Sequence, residues 1–158
     1  MHAMWKVGTA SLVSALASAA CSSPSATGTV GYQQFRYTCC AGSDVQRVWH
    51  PGQAFTLHWI VEPAGMTSDP REHPLTLTAV LTGPYSSVAA LKAAGAHAQT
   101  LAATPVQVTD QLPGTPVSTI PLPRSLPAGW YNLEVGVDSA SGDRVDSGSV
   151  IHVAGSTT

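Results

Sequence analysis

The most reactive side chains in the sequence lie early in the chain. Cys39 and Cys40 are consecutive, and His50 and His58 follow ten and eighteen residues after Cys40. Thiolate sulfur and imidazole nitrogen are donors that suit copper or zinc, so these four residues are candidate metal ligands. Such a site requires Cys40 to lie in a turn, because neighbouring side chains of a continuing strand point to opposite faces. Neither a Cys-x-x-Cys nor a His-x-x-x-His spacing is present. Other states of the pair stay open: one buried and one surface thiol, a vicinal disulfide between Cys39 and Cys40, or a bridge to another molecule. Sequence neighbours sit about 3.8 Å apart at Cα, below the roughly 4.4–6.8 Å of ordinary disulfides, so a vicinal ring needs a distorted peptide. An oxidising compartment disfavours persistent free thiols.

Nucleophilic catalysis needs a base beside the nucleophile and an orienting group behind the base. Serines are plentiful, and His50, His58, His73, His97 and His152 could act as bases. No Gly-x-Ser-x-Gly elbow, paired-carboxylate motif or phosphate-cradling glycine loop accompanies them. Asp69, Arg71, Glu72 and His73 cluster before a strand and read as a solvated turn. Trp49, Trp59 and Trp130 suit core packing, but Trp49 and Trp130 stand at strand starts, where an exposed indole could form a carbohydrate platform. Nothing in the sequence calls for a cofactor. A small secreted hydrolase is therefore the weakest of three readings.

Composition narrows the classes further. Only 10% of the 158 residues are charged, against about 25% in ordinary domains. Ser, Thr, Gly and Pro fill the gap, which suits short strands joined by turns. The formal charge is -2 and no Lys/Arg cluster occurs, so a nucleic-acid partner is not expected.

Residues 1–20 read as a signal peptide. Lys6 is the one charge of a short leading region, and the uncharged stretch Val7 to Ala20 follows it. Those 14 residues are too few for a stable spanning helix, which needs about 20. Ser18-Ala19-Ala20-Cys21 resembles the lipobox of bacterial lipoproteins, with Ser18 where an aliphatic residue is usual. The resemblance implies lipidation of Cys21 and a membrane partner through the anchor. Cleavage after Ala19 by ordinary signal peptidase is the rival reading. Residues 21–29 then form the lipidated Cys and a small, polar tether. Loss of Lys6 leaves six basic and nine acidic residues, a mature charge of -3. The expected location is exported and membrane-anchored in the cell envelope, on its periplasmic or extracellular face.

Residues 30–154 alternate apolar and polar with period two. Phe35, Tyr37 and Cys39 share one face of FRYTC. Trp49 to Gly52 makes a turn into a strand with Phe55, Leu57, Trp59 and Val61 inward, which Pro63-Ala64-Gly65 stops. A second strand places Leu75, Leu77, Ala79 and Leu81 inward and closes at Gly83-Pro84. Ser86 to Gly95 breaks the period and reads as one short inserted helix, residues 86–95, with a Ser N-cap. Thr104 to Thr109 and Val117 to Leu122 are weaker, proline-flanked edge segments. A closing hairpin puts Tyr131, Leu133, Val135 and Val137 inward.

HPGQAFTLHWIV resembles the second strand of bacterial immunoglobulin-like domains, and LPAGWYNLEVGVDSASGDRVDSGSVIHV resembles their final hairpin, with Gly129 and Tyr131 in the Gly-x-Tyr places. The resemblance covers about 40 of 158 residues. It implies an all-β fold, an immunoglobulin-like antiparallel β-sandwich, and leaves function open. The expected function is a non-enzymatic envelope lipoprotein, a binding, assembly or structural module of unknown ligand, whose partner is an envelope protein or glycan met through loops or an edge strand. The alternative is a periplasmic thiol- or metal-handling protein using Cys39 and Cys40.

Mass spectrometry of the mature N-terminus checks the export reading. A diacylglyceryl-modified Cys21 is expected, and Cys21→Ala should release the protein from the membrane fraction. A free Ala20 N-terminus would instead place cleavage after Ala19.

Overall fold

A computed structural model describes residues 30–93 and 99–155. The leader at 1–20, Cys21 with its tether to residue 29, the helix end at 94–95 and His97 lie outside those residues. Within them the fold is all-β: ten strands and two single-turn helices. No helix there is long and apolar enough to cross a membrane.

In chain order the elements are β1 (Tyr32–Thr38), α1 (Gly42–Gln46), β2 (Val48–Trp49), β3 (Ala54–His58), β4 (Ile60–Thr67) and β5 (Pro74–Tyr85). They continue with α2 (Val88–Lys92), β6 (Gln99–Ala102), β7 (Val106–Thr109), β8 (Val117–Pro121), β9 (Gly129–Ser139) and β10 (Arg144–Val153). The main sheet runs β2-β10-β9-β5-β6. β7 shares the outer edge of β5 with β6, β7 pairing Pro74 to Leu77 and β6 pairing Val80 to Gly83. Two further sheets are strand pairs, β1–β4 and β3–β8. Every pairing is antiparallel except β2–β10, which departs from the wholly antiparallel expectation over two residues.

The alternation in the sequence is what makes these sheets meet. Leu77, Ala79 and Leu81 of β5, Tyr131, Leu133 and Val135 of β9, and Ile151 and Val153 of β10 point to one side of the main sheet. Tyr37, Phe55, Leu57 and Ile120 from the two strand pairs, and Trp59 from the link between β3 and β4, join them in a single buried core. Burial of apolar area at about 25 cal/mol per Å² is the main force holding the three sheets together.

Three expectations are corrected. The strand read from Ala54 to Glu62 divides at Trp59, where the chain leaves β8 and joins β1. Trp59 anchors the crossing: its backbone N–H donates to Pro116 O at 3.1 Å and its indole N–H to Ser118 Oγ at 2.9 Å. β4 then runs through Pro63-Ala64-Gly65 instead of stopping there. It is an edge strand, where a missing N–H costs no ladder bond, and its register shifts opposite Gln34 and Phe35. Likewise β5 runs past Gly83-Pro84 to Tyr85. Gly83 is needed because a Cβ there would lie 2.7 Å from the Tyr131 ring.

The inserted helix is present as Val88–Lys92, with the Ser87 hydroxyl accepting from the Ala90 N–H at 3.1 Å. The first strand ends at Thr38, so Cys39 and Cys40 leave the alternation. The short elements α1 and β6 carry no period that the sequence would reveal.

Truncating the core at Leu133, which is fully buried, should cost about 2–5 kcal/mol as Leu133→Ala. Val145→Thr, at a site 70% exposed on the same hairpin, should stay within about 0.5 kcal/mol of wild type. Urea unfolding of both variants measures the difference, and equal costs would refute the assignment of faces.

Candidate functional site

Cys39 and Cys40 follow β1 in an irregular connection. Both are half-buried and pack against the same core, rather than on opposite faces of a strand. Their sulfur atoms lie in bonding contact with each other. His50 stands in the turn after β2, its N–H donating to Gln53 Oε1 at 2.9 Å. His58 ends β3 with its ring held by Asp44. Among the described residues no three His, Cys, Asp or Glu side chains gather around a common point. Cys39, Cys40, His50 and His58 are thus not brought together as a four-ligand copper or zinc set. The sulfurs face each other and the His58 ring turns to a carboxylate.

That carboxylate belongs to Asp44, buried in α1. It accepts the His58 backbone N–H at 2.7 Å and lies 3.1–3.2 Å from His58 Nδ1. The Asp44 carbonyl accepts the Trp49 indole N–H at 3.1 Å. Trp49 itself is only 5% exposed, so it offers no platform. It packs edge-on against Phe55 at 5.0 Å, with the Arg47 guanidinium 4.7 Å above its ring. An open pocket of about 570 Å³ lies over these residues, with Ser43 and Thr56 in its wall. A carboxylate-oriented imidazole is the base half of a nucleophilic site. Ser43 Oγ, however, contacts Asp44 Oδ1 at 3.4 Å, the orienting end of the pair and not the far nitrogen of the ring.

A second buried carboxylate, Asp110, ties β1 to the main sheet. It accepts the His73 N–H at 2.7 Å, faces His73 Nδ1 at 3.0 Å and accepts the Gln34 amide at 3.1 Å. Its carbonyl takes the Phe35 N–H at 2.6 Å and its own N–H donates to His73 O at 3.1 Å. Burial alone pushes the Asp110 carboxyl up. The hydrogen bonds from His73 and Gln34 and the nearby imidazole outweigh it and hold the group below its ordinary value of 3.8. Burial, and then the Asp110 charge, raise the Tyr37 hydroxyl, which donates to Thr109 O at 2.8 Å. Of the turn read as solvated, Arg71 and Glu72 are exposed, while His73 belongs to this junction.

Another opening lies at one end of the main sheet. Tyr85 of β5, Trp130 of β9 and His152 of β10 are directly opposed in register, a row across three adjacent strands. Trp130 and His152 stack with ring centroids 4.4 Å apart and planes 25° off parallel. All three are half-buried and border a cleft of about 470 Å³ with Pro84, Ser86 and Gly129. Gly129 lets the strands close up there, since its Cβ would lie 2.9 Å from Pro84 Cβ. Of the two indoles singled out in the sequence, both border an opening, but Trp49 is buried at 5% exposure while Trp130 is half-buried.

Sequence reasoning overlooked Asp44 and Asp110. A signal did exist: Asp44 is the first acidic residue of the chain, and Asp110 stands alone between Glu72 and Glu134. A lone acid in a charge-poor stretch is a candidate buried acceptor.

Asp110 makes acid stability a direct check. Its folded pKa is depressed, so its contribution is fully present above the ordinary value of 3.8 and fades as pH falls through the folded value. Asp110→Asn should lose about 1–3 kcal/mol at pH 7, and the gap to wild type should shrink below about pH 4. Urea midpoints from pH 7 down to pH 2.5 measure it; a gap independent of pH would count against the junction.

No protein-family model and no curated protein matches this chain, so the reading of its function rests on the geometry above.

Proposed function

We propose that the chain is an exported, lipid-anchored envelope protein whose immunoglobulin-like sandwich binds a ligand without transforming it. The fold part of this reading draws on Tyr131. It lies near the start of β9, fully buried, and its hydroxyl donates to Pro127 O four residues upstream at 2.8 Å. A buried tyrosine that bonds back to the backbone at the head of a late strand is a feature of immunoglobulin-like sandwiches. The strand pairs β1–β4 and β3–β8, sharing one core with the main sheet, agree with that architecture.

The binding part rests on one observation: the Tyr85–Trp130–His152 row bordering an open cleft. Aromatic rings held by a rigid sheet are preorganised contact area, lost to a ligand at little entropic cost. The two His–Asp pairs support a non-catalytic reading in a different way. Each carboxylate also holds the backbone N–H of its own histidine, so each pair acts as a tie between elements. A hydrolytic reading would draw on His58 and Asp44, and a thiol-handling one on Cys39 and Cys40. Neither explains why an indole sits at the sheet end.

Detergent-washed cell walls of the producing bacterium provide the test. The full mature chain should sediment with them, and Trp130→Ala should weaken binding at least tenfold while its thermal midpoint stays within a few degrees of wild type. Undiminished binding by a folded Trp130→Ala protein would move the site elsewhere.

A further inference from the structure

We infer that the cleft at Trp130 takes a neutral, pyranose-bearing polysaccharide of the envelope; this rests on the binding reading just given and names its ligand. The first ground is shape. Tyr85, Trp130 and His152 are register neighbours across β5, β9 and β10, and Trp130 and His152 stack on each other, so aromatic surface is gathered at one end of the sheet. The C–H face of a sugar ring is apolar and packs against aromatic surface that the stack leaves open, while its hydroxyls project sideways. The second ground is the polar rim. Tyr85, Ser86, Trp130 and His152 all line the same cleft, and their side chains carry both donors and acceptors. Sugar hydroxyls need both. The third ground is charge. Among the described residues no Asp, Glu, Lys or Arg lines the cleft, so nothing there selects an anionic or cationic partner, and buried ion pairs would find no counterpart. The volume of about 470 Å³ is within the range of small-ligand sites and suits one or two sugar rings of a longer chain.

The packing around the row keeps it rigid. Gly83 and Gly129 permit the close approach of β5 to β9 at this end, and the Trp130–His152 stack leaves each ring one neighbour already in place. A ligand then meets aromatic surface that needs little ordering.

Trp49 and Trp59 are buried at 5% and 6% exposure, so a ligand-induced change in tryptophan emission reports Trp130. The experiment uses the full mature chain, detergent-washed walls, and neutral oligosaccharides released from those walls. Walls are treated with protease, or with periodate to cleave vicinal diols, before sedimentation. Binding that survives protease and is lost after periodate is expected, with released oligosaccharide shifting the emission of wild type but not of Trp130→Phe. Trp130→Phe should keep part of the affinity, and His152→Ala should lose at least tenfold. Both small replacements guard against an unfolded Trp130→Ala protein. Binding abolished by protease and untouched by periodate would overturn the polysaccharide while leaving the site as a protein-binding one. Wall binding that is unchanged in both His152→Ala and Trp130→Ala would overturn the binding reading as well.

Discussion

One constraint organises the molecule: the apolar side of the main sheet has to be covered by something other than a helix. Leu77, Ala79, Leu81, Tyr131, Leu133, Val135, Ile151 and Val153 form that side, and among the described residues both helices are single turns. The cover comes from β1–β4 and β3–β8, each only two strands wide. An isolated strand pair is marginal in water. Their stability therefore derives from the shared core. Phe55, Leu57, Ile120 and Tyr37 are as necessary to the main sheet as it is to them.

The cover leaves seams, and the buried polar residues sit along them. Ser118 receives the indole of Trp59 where the chain crosses between the strand pairs. Asp44 binds α1 to the end of β3, and Asp110 binds β1 to the strand entrance at His73. Among the described residues no buried side-chain nitrogen or oxygen lacks a partner, as a tightly closed core demands. The carboxylates of Asp44 and Asp110 each join two elements. The open cleft at Tyr85, Trp130 and His152 lies away from both junctions and is the ligand site of the function proposed above.

Much of this was legible in the sequence because strict alternation has one structural solution. Leu77, Ala79, Leu81, Tyr131 and Leu133 were readable as inward-facing, and the β9–β10 hairpin was readable from its turn. The split at Trp59 was not. A strand that changes partners keeps its alternation, so Phe55, Leu57 and Trp59 give no sign that β3 and β4 lie in different sheets. Pro63 and Gly83-Pro84 looked like stops because local preference treats them so; an unpaired edge and a register shift absorb them. The site was half visible. Trp130 could be named, but its neighbours Tyr85 and His152 come from strands far away in sequence, and only register places them beside it. Trp49 looked equivalent until the core closed over it.

Native-state hydrogen exchange on the full mature chain tests the shared core most directly. Amides of β3 and β8, of β1 and β4, and of β5, β9 and β10 should approach a common opening free energy, because no sheet can leave without exposing the others' buried faces. Strand pairs β1–β4 or β3–β8 opening several kcal/mol below the main sheet would contradict the account and make them accessory ribbons on an independently stable sheet.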